Sequence, residues 1–140
     1  MALDDARTQV EASPGRQLSV FLDDTPGTLA GATGLLGEAG INIRALSLAE
    51  GVGHGAVRMV VDRHADACAL LRANGFLFFE RDILELRVAN RPGGLAEVLR
   101  RWGERGINVA YAYCAGGEDV ERGLVIVRVD RAEDALAALA

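Results

Sequence analysis

A duplicated stretch of sequence most constrains how this chain can fold. Residues 18–49 align with residues 84–115 without a gap, at an offset of 66 residues, and eleven of the thirty-two aligned pairs are identical. Each copy contains a Pro-Gly pair and, further along, the tripeptide Gly-Ile-Asn. Such a repeat predicts two small structural units that share one topology.

The spacing within each copy predicts a strand, a helix and a second strand. Pro26 and Pro92 predict helix starts, because proline lacks the N–H that the first helical turn leaves unpaired. Gly40 and Gly106 suit the left-handed residue that ends a helix. Apolar residues recur between these limits at helical spacing and predict a face that covers a sheet. They are Leu29, Ala32 and Leu36 in the first copy and Leu95, Val98, Leu99 and Trp102 in the second.

The remaining elements complete a βαββαβ order. Alternating apolar residues predict strands at 18–22 and 56–61, Asp62 caps a second helix, and residues 76–80 form a short fourth strand. The second copy repeats this order up to a last helix, for which Asp130 and Glu133 form a capping box, and has no counterpart of the fourth strand. The predicted organisation is a tail at 1–16, a first domain at 17–80 and a C-terminally truncated second domain at 81–140.

Composition and charge exclude several classes of function. The net charge is −5 and the fifteen basic residues are scattered, so we expect no nucleic-acid partner. No apolar run approaches the roughly 18 residues of a membrane span, and no secretory signal is visible, so we expect no membrane partner and a cytoplasmic protein. Cys68, Cys114, His54 and His64 are too sparse for a metal site, and buried free thiols are expected. We expect no cofactor.

Two motifs of the second copy carry a resemblance to a known family. The run Asn90-Arg-Pro-Gly-Gly-Leu, followed by Gly106-Ile-Asn-Val, resembles the ACT domain, an amino-acid-sensing module attached to many biosynthetic enzymes, and especially the regulatory end of bacterial phosphoglycerate dehydrogenase. Both copies fit, so the resemblance covers about residues 17–140. It implies two ferredoxin-like units of class α+β, each an antiparallel sheet in the order 4-1-3-2 with its helices on one face. Strand two is then an edge strand.

The resemblance also implies where a ligand binds. Effectors of this family lie at a seam between the turn after strand one of one domain and strand two of its neighbour. Helix-start N–H groups attract a carboxylate, asparagine can bridge a carboxylate and an ammonium, and a carboxylate side chain attracts the ammonium. The expected ligand-binding residues are Asp24, Gly27, Thr28 and Asn42 in the first copy and Asn90, Arg91, Gly93, Gly94 and Asn108 in the second. Alternatively, Asp24, Thr25 and Asn90 are helix caps, and the asparagines Asn42 and Asn108 bond local backbone.

The resulting functional prediction is a non-catalytic regulatory protein that senses a free amino acid between two ACT domains. No nucleophile with a partnered histidine and no carboxylate pair is recognisable, so we expect no enzyme activity. The alternatives are a ligand-free dimerisation module and a hydrolase on the same fold. A homodimer is expected because the missing fourth strand leaves a sheet edge open and Phe21 lies on the uncovered face. An amino-acid biosynthetic enzyme is a possible partner.

Overall fold

The computed structural model of the protein describes residues 10–49, 54–116 and 121–140. Its strands are β1 (Glu11–Asp23), β2 (Ile43–Ala49), β3 (His54–Val61), β4 (Phe78–Ala89), β5 (Val109–Ala115) and β6 (Arg122–Val129). Its helices are α1 (Thr28–Glu38), α2 (His64–Ala73), α3 (Gly94–Glu104) and α4 (Ala132–Leu139). The predicted α+β class and element order are confirmed. None of the helices in these ranges is long and apolar enough to cross a membrane.

The chain divides into two compact units that correspond to the two copies of the repeat. The first unit comprises residues 16–81, and the second unit comprises residues 82–140 together with residues 1–15. The long strands β1 and β4 each contribute residues to both units. This division explains why no linker is visible in the sequence between the two copies: the fourth strand of the first unit continues without a break into the first strand of the second.

The first unit has the strand order that the family resemblance implies. Its order is β2-β3-β1-β4, and β3 pairs antiparallel with both of its neighbours. Strand two is therefore an edge strand. The apolar residues Leu18, Val20 and Leu22 of β1 are buried against the helices, as their alternation predicts. Phe21 points to the opposite face and packs against Phe79, with ring centroids 5.5 Å apart.

The second unit obtains its fourth strand from the other end of the chain. Its order is β1-β4-β6-β5, and no strand follows α4, as predicted. Residues 11–15 of β1 occupy the fourth place. Val10 and Ala12 pack against the core of this unit, and Glu11 forms a salt bridge of 2.8 Å with Arg122. The open edge on which we based the homodimer is thus covered, so that reason no longer applies.

The predicted tail at 1–16 is therefore wrong for residues 11–16, which belong to β1. Pro14 and Gly15 caused the error, because both residue types are depleted in strands and typical of turns. Gly15 has a specific place in the sheet: a Cβ there would lie 2.9 Å from Ile83 Cδ1 and 2.6 Å from Glu85 Oε2. The unpaired edge of β4, rather than local propensity, determines this conformation.

Each unit buries its own core between sheet and helices. In the second unit Trp102 is fully buried, and its indole N–H donates to the Ala135 carbonyl at 2.9 Å, which joins α3 to α4. Val98 is buried beside it, but Leu99, which belongs to the predicted apolar face, is 37% exposed. A buried tryptophan with its polar atom satisfied fixes how the two helices of this unit pack.

Both first helices begin two residues later than predicted. Their N-cap residues are Gly27 and Gly93, with φ angles of 92° and 85°, and neither makes a side-chain cap bond. Pro26 and Pro92 therefore belong to the preceding turn, and the N-cap position of each helix is a glycine rather than Asp24, Thr25 or Asn90. Only glycine adopts this left-handed conformation without steric cost, so glycine determines where each helix begins.

Candidate ligand site

The same pocket occurs in both units, at the turn between the first strand and the first helix. The second-unit pocket has a volume of about 880 Å³ and is lined by residues 88–92, Leu95, residues 114–116 and residues 122–125. The first-unit pocket has a volume of about 330 Å³ and is lined by residues 22–25, residues 27–29, Leu48, Ala49 and Gly55. These positions correspond across the repeat, because the turn and strand two are offset by 66 residues and strand three by 68. The fold therefore builds one site twice.

The turn in each pocket is fixed by two backbone hydrogen bonds. In the first unit the Thr25 N–H donates to the Asp23 carbonyl at 2.9 Å, and the Thr28 N–H donates to Thr25 at 3.4 Å. In the second unit the Arg91 N–H donates to Ala89 at 2.9 Å, and the Gly94 N–H donates to Arg91 at 3.1 Å. The N–H groups of Thr28 and Gly94, two of the expected ligand-binding residues, are thus already bonded within the turn.

Other helix-start donors do remain available in these turns. Among the described residues, the N–H groups of Gly27 and Leu29 donate no backbone hydrogen bond within the turn, and the same holds for Gly93 and Leu95. Leu29 and Leu95 also line their respective pockets. These groups carry the positive end of the helix dipole, which favours a bound carboxylate by about 0.3 to 1 kcal/mol.

One of the positions at which the two turns differ is Thr28, which aligns with Gly94. The Thr28 hydroxyl donates to the Asp23 carbonyl at 2.7 Å, across the turn. At Gly94 the same space is closed, since a Cβ there would lie 2.1 Å from the Ala89 carbonyl oxygen. The turn of the second unit is therefore tighter and requires glycine.

The two pockets also differ in charge. Asp23 and Asp24 line the first-unit pocket, whereas Arg91 and Arg122 line the second-unit pocket. Arg122 forms the salt bridge with Glu11, and its hydrogen bond and charge lower the pKa of that carboxyl. The second-unit pocket thus presents cationic groups that suit a carboxylate.

The asparagines predicted to bind ligand lie elsewhere in their own units. Asn42 and Asn108 immediately precede β2 and β5, whereas the pockets adjoin the last residues of those strands. Seven residues of extended chain span about 23 Å, so one unit cannot bring its own asparagine to its own turn. Both side chains are exposed.

Local hydrogen bonds hold the backbone of each asparagine. The Asn42 N–H donates to Asp62 Oδ1 at 3.0 Å, and the Asp62 N–H donates to the Asn42 carbonyl at 3.1 Å. Asn108 and Asp130 repeat this pair, at 3.0 and 3.2 Å. The predicted helix caps at Asp62 and Asp130 are wrong, because these carboxylates bind the strand start instead. These hydrogen bonds use only the main-chain atoms of the asparagine, so its side-chain amide remains exposed.

The arginine that follows each of these aspartates forms a further hydrogen bond near the same strand start. Arg63 Nη1 donates to the Ala39 carbonyl at 3.2 Å, and Arg131 Nη2 donates to the Arg105 carbonyl at 2.9 Å. These carbonyls lie at the ends of α1 and α3, where the helix supplies no N–H group to bond them. The tripeptide Val-Asp-Arg, which occurs at residues 61–63 and again at residues 129–131, thus has a structural role in both units.

The structure brings some predicted site residues together and separates others. Asp24, Gly27 and Thr28 line the first-unit pocket, and Asn90 and Arg91 line the second-unit pocket, while Gly93 and Gly94 lie in its turn.

Sequence reasoning missed two groups of residues. Arg122 belongs to no recognisable sequence motif, and its place in a pocket depends on the pairing of β6 with β4. His64, Cys68 and Glu80 converge in the first unit. The one local signal for this cluster is that His64 and Cys68 are four residues apart, which places them on one helix face.

Cys114 was expected to be buried and is exposed.

Comparison with known proteins identifies the family. Residues 15–139 match the family described as ACT domain pair. A search of curated proteins gives no match. Among solved structures, protein BT0572 from Bacteroides thetaiotaomicron is 29% identical, with a TM-score of 0.84 over 91% of this chain and 88% of that one.

Two structures of lower identity share the fold. The regulatory subunit of aspartate kinase from Thermus thermophilus, in its ligand-free form, has a TM-score of 0.67 at 22% identity over 93% of both chains. The corresponding subunit from Thermus flavus has a TM-score of 0.59 at 22% identity over 94% of both. With the family match spanning nearly the whole chain, these findings show that the chain belongs to the family of ACT domain pairs.

Proposed function

We propose that this protein is a non-catalytic regulatory protein that binds a free amino acid at the turn pocket of an ACT domain. The observation that carries the proposal is the recurrence of one pocket at the same turn in both units, with helix-start N–H groups beside it. A pocket that served only packing would be filled by side chains, whereas both of these pockets are open and lined by polar as well as apolar residues.

The second-unit pocket is the better site for the carboxylate of the ligand. Arg91 and Arg122 supply charge, Asn90 supplies an amide, and the turn supplies backbone donors. Charge-assisted hydrogen bonds of this kind contribute about 1.5 to 3 kcal/mol each. In the first-unit pocket Asp24 is placed to attract an ammonium group.

The asparagines complete the proposed site from a neighbouring ACT domain. Since Asn42 and Asn108 lie a strand's length from the pocket of their own unit, a ligand that contacts a turn and an asparagine must lie between two domains. The strands that these residues precede, β2 and β5, are edge strands of their units and suited to pairing with another strand. We infer that a second copy of the chain supplies the partner domain, so that the working form is a homodimer.

The relatives support a proposal for the cellular context. Because two structures with this fold are regulatory subunits of aspartate kinase, we infer that the protein responds to an amino acid in the cytoplasm and acts on an enzyme of amino-acid biosynthesis.

Thermal denaturation in the presence of each of the twenty amino acids tests the proposal. We expect one or a few of them to raise the melting temperature, because a ligand that binds only the folded state stabilises it. Calorimetry then measures the affinity for the amino acid so identified. If none of the twenty changes the melting temperature, a ligand-free dimerisation module becomes the better interpretation.

Substitution of the two asparagines tests their place in the site. We expect Asn108→Ala and Asn42→Ala to weaken binding about tenfold to a hundredfold, with the larger loss at Asn108, since each removes one or two charge-assisted bonds. Asn74→Ala is the matched control, because Asn74 ends α2 and lines neither pocket. Unchanged affinity in both site variants would exclude the asparagines from the site. Sedimentation should give about twice the monomer mass of 14.8 kDa.

A further inference from the structure

Three side chains that commonly ligate transition metals converge in the first unit. His64 and Cys68 lie four residues apart on α2, and Glu80 lies on β4. Cys68 Sγ is 3.6 Å from His64 Nε2 and 3.6 Å from Glu80 Oε1, and the nitrogen and oxygen are 2.6 Å apart. All three ligand atoms lie within 4.8 Å of one another.

These distances fit the edges of a tetrahedral zinc site. With bonds of about 2.0 to 2.1 Å to nitrogen and oxygen and about 2.3 Å to sulfur, tetrahedral ligands are about 3.6 Å apart across a sulfur edge and about 3.3 Å apart between nitrogen and oxygen. Both sulfur distances already match. The separation between His64 and Glu80 must widen by about 0.7 Å, which a small rotation of the Glu80 side chain achieves.

The cluster is not part of the architecture that the two units share. Counted from the duplicated Val-Asp-Arg, His64 and Cys68 align with Ala132 and Leu136 of α4, at an offset of 68 residues. At these positions the second unit has Ala132, which is exposed, and Leu136, which packs against the core. Packing alone therefore does not require a histidine and a cysteine on α2.

The surroundings of the cluster leave room for a bound cation. Nε2 of His64 is the ring atom that faces Cys68 and Glu80, and Nδ1 is buried without a hydrogen-bond partner among the described residues. Cys68 is buried, whereas the side chain of Glu80 is 36% exposed, which leaves one side open to a water as fourth ligand. Arg16 lies 3.4 Å from Glu80, but its side chain is half exposed and can move away.

We propose that His64, Cys68 and Glu80 bind one Zn²⁺ ion per chain. A set of one imidazole, one thiolate and one carboxylate suits this borderline-soft ion. Binding displaces the proton of the Cys68 thiol, and the resulting bonds join α2 to β4, so that the metal stabilises the first unit. This site is separate from the two turn pockets and does not depend on the proposed amino-acid ligand.

Metal titration of the full chain tests the site. With Co²⁺ as a spectroscopic substitute for zinc, we expect thiolate-to-cobalt charge-transfer absorption at one equivalent, and displacement of the cobalt by Zn²⁺. Cys68→Ser should abolish this absorption, and the matched variant Cys114→Ser, which removes the exposed cysteine of the second unit, should leave it unchanged. Absence of the band in the unaltered protein, or its persistence in Cys68→Ser, would overturn the proposal.

Calorimetry with Zn²⁺ provides a second measurement on variants that alter exposed groups. Glu80→Gln should weaken binding about tenfold or more, since an amide is a poorer zinc ligand than a carboxylate. Arg16→Ala should strengthen binding, because it removes a cation that competes for Glu80. Zinc affinity that is unaffected by both changes would show that the ion binds elsewhere and would likewise refute the site.

Discussion

The sharpest test of the second-unit pocket is the substitution Gly94→Ala. The added Cβ would lie 2.1 Å from the Ala89 carbonyl oxygen, and Cβ atoms essentially never approach another atom within 3.0 Å. The turn must therefore open by about 0.9 Å. Neither side of the contact can rotate away, because both atoms are attached directly to the backbone.

The opening has two costs. Steric overpacking costs about 1 to 3 kcal/mol, and the hydrogen bond from the Arg91 N–H to the same carbonyl contributes about 0.5 to 1.5 kcal/mol. We therefore expect Gly94→Ala to lower the free energy of unfolding by about 2 to 4 kcal/mol. This is a large share of the roughly 5 to 15 kcal/mol of a typical domain.

Urea denaturation followed by circular dichroism measures this effect. With a denaturant slope of about 2 kcal/mol per molar, the unfolding midpoint should fall by about 1 to 2 M. Gly103→Ala is the matched control, since Gly103 lies in the same helix and a Cβ there meets nothing within 4 Å. That variant should be as stable as the unaltered protein or more stable by up to about 1 kcal/mol. A midpoint for Gly94→Ala equal to that of the control would refute the steric argument.

Two further predictions concern the second unit. Deletion of residues 1–15 removes the fourth strand of this unit and leaves β4 with an open edge. The shortened protein should therefore unfold at a lower urea concentration and associate as the protein concentration rises. Unchanged sedimentation and stability would show that residues 11–15 do not act as its fourth strand. Asp130→Ala removes the acceptor for the Asn108 N–H and should cost about 1.5 to 3 kcal/mol. Asp134→Ala, which removes a carboxylate from an exposed ion pair four residues away, should cost less than about 1 kcal/mol in the same urea assay.

Much of the fold follows from short-range patterns in the sequence. The alternation at Leu84, Leu86 and Val88 has one physical meaning, because successive strand residues point to opposite faces and only one face can meet the helices. The repeat strengthened these assignments, since a strand or helix predicted in one copy is also expected at the aligned residues of the other. The first residue of a helix was predicted less well. Both Pro92 and Gly93 are typical of helix starts, and the left-handed φ of Gly93 places the N-cap at Gly93, after the proline.

The candidate site was only partly predictable. The turn with Asn90 and Arg91 was recognisable because its residues are adjacent in sequence. Arg122 and Glu11 were not, because they meet only when β6 and β1 take their places on either side of β4.

The sequence by itself determined the two units, their element order and the turns that form the pockets, because these depend on contacts between residues near one another in the chain. Tertiary structure decided how residues 11–15, with an unfavourable Pro-Gly pair, became a strand: the exposed hydrogen-bonding edge of β4 outweighed local propensity. It also decided that His64 and Cys68 meet Glu80, twelve residues beyond Cys68. Strand pairing and contacts between distant side chains depend on which strand edges and helix faces are still uncovered once the local elements have formed. The local sequence does not encode this.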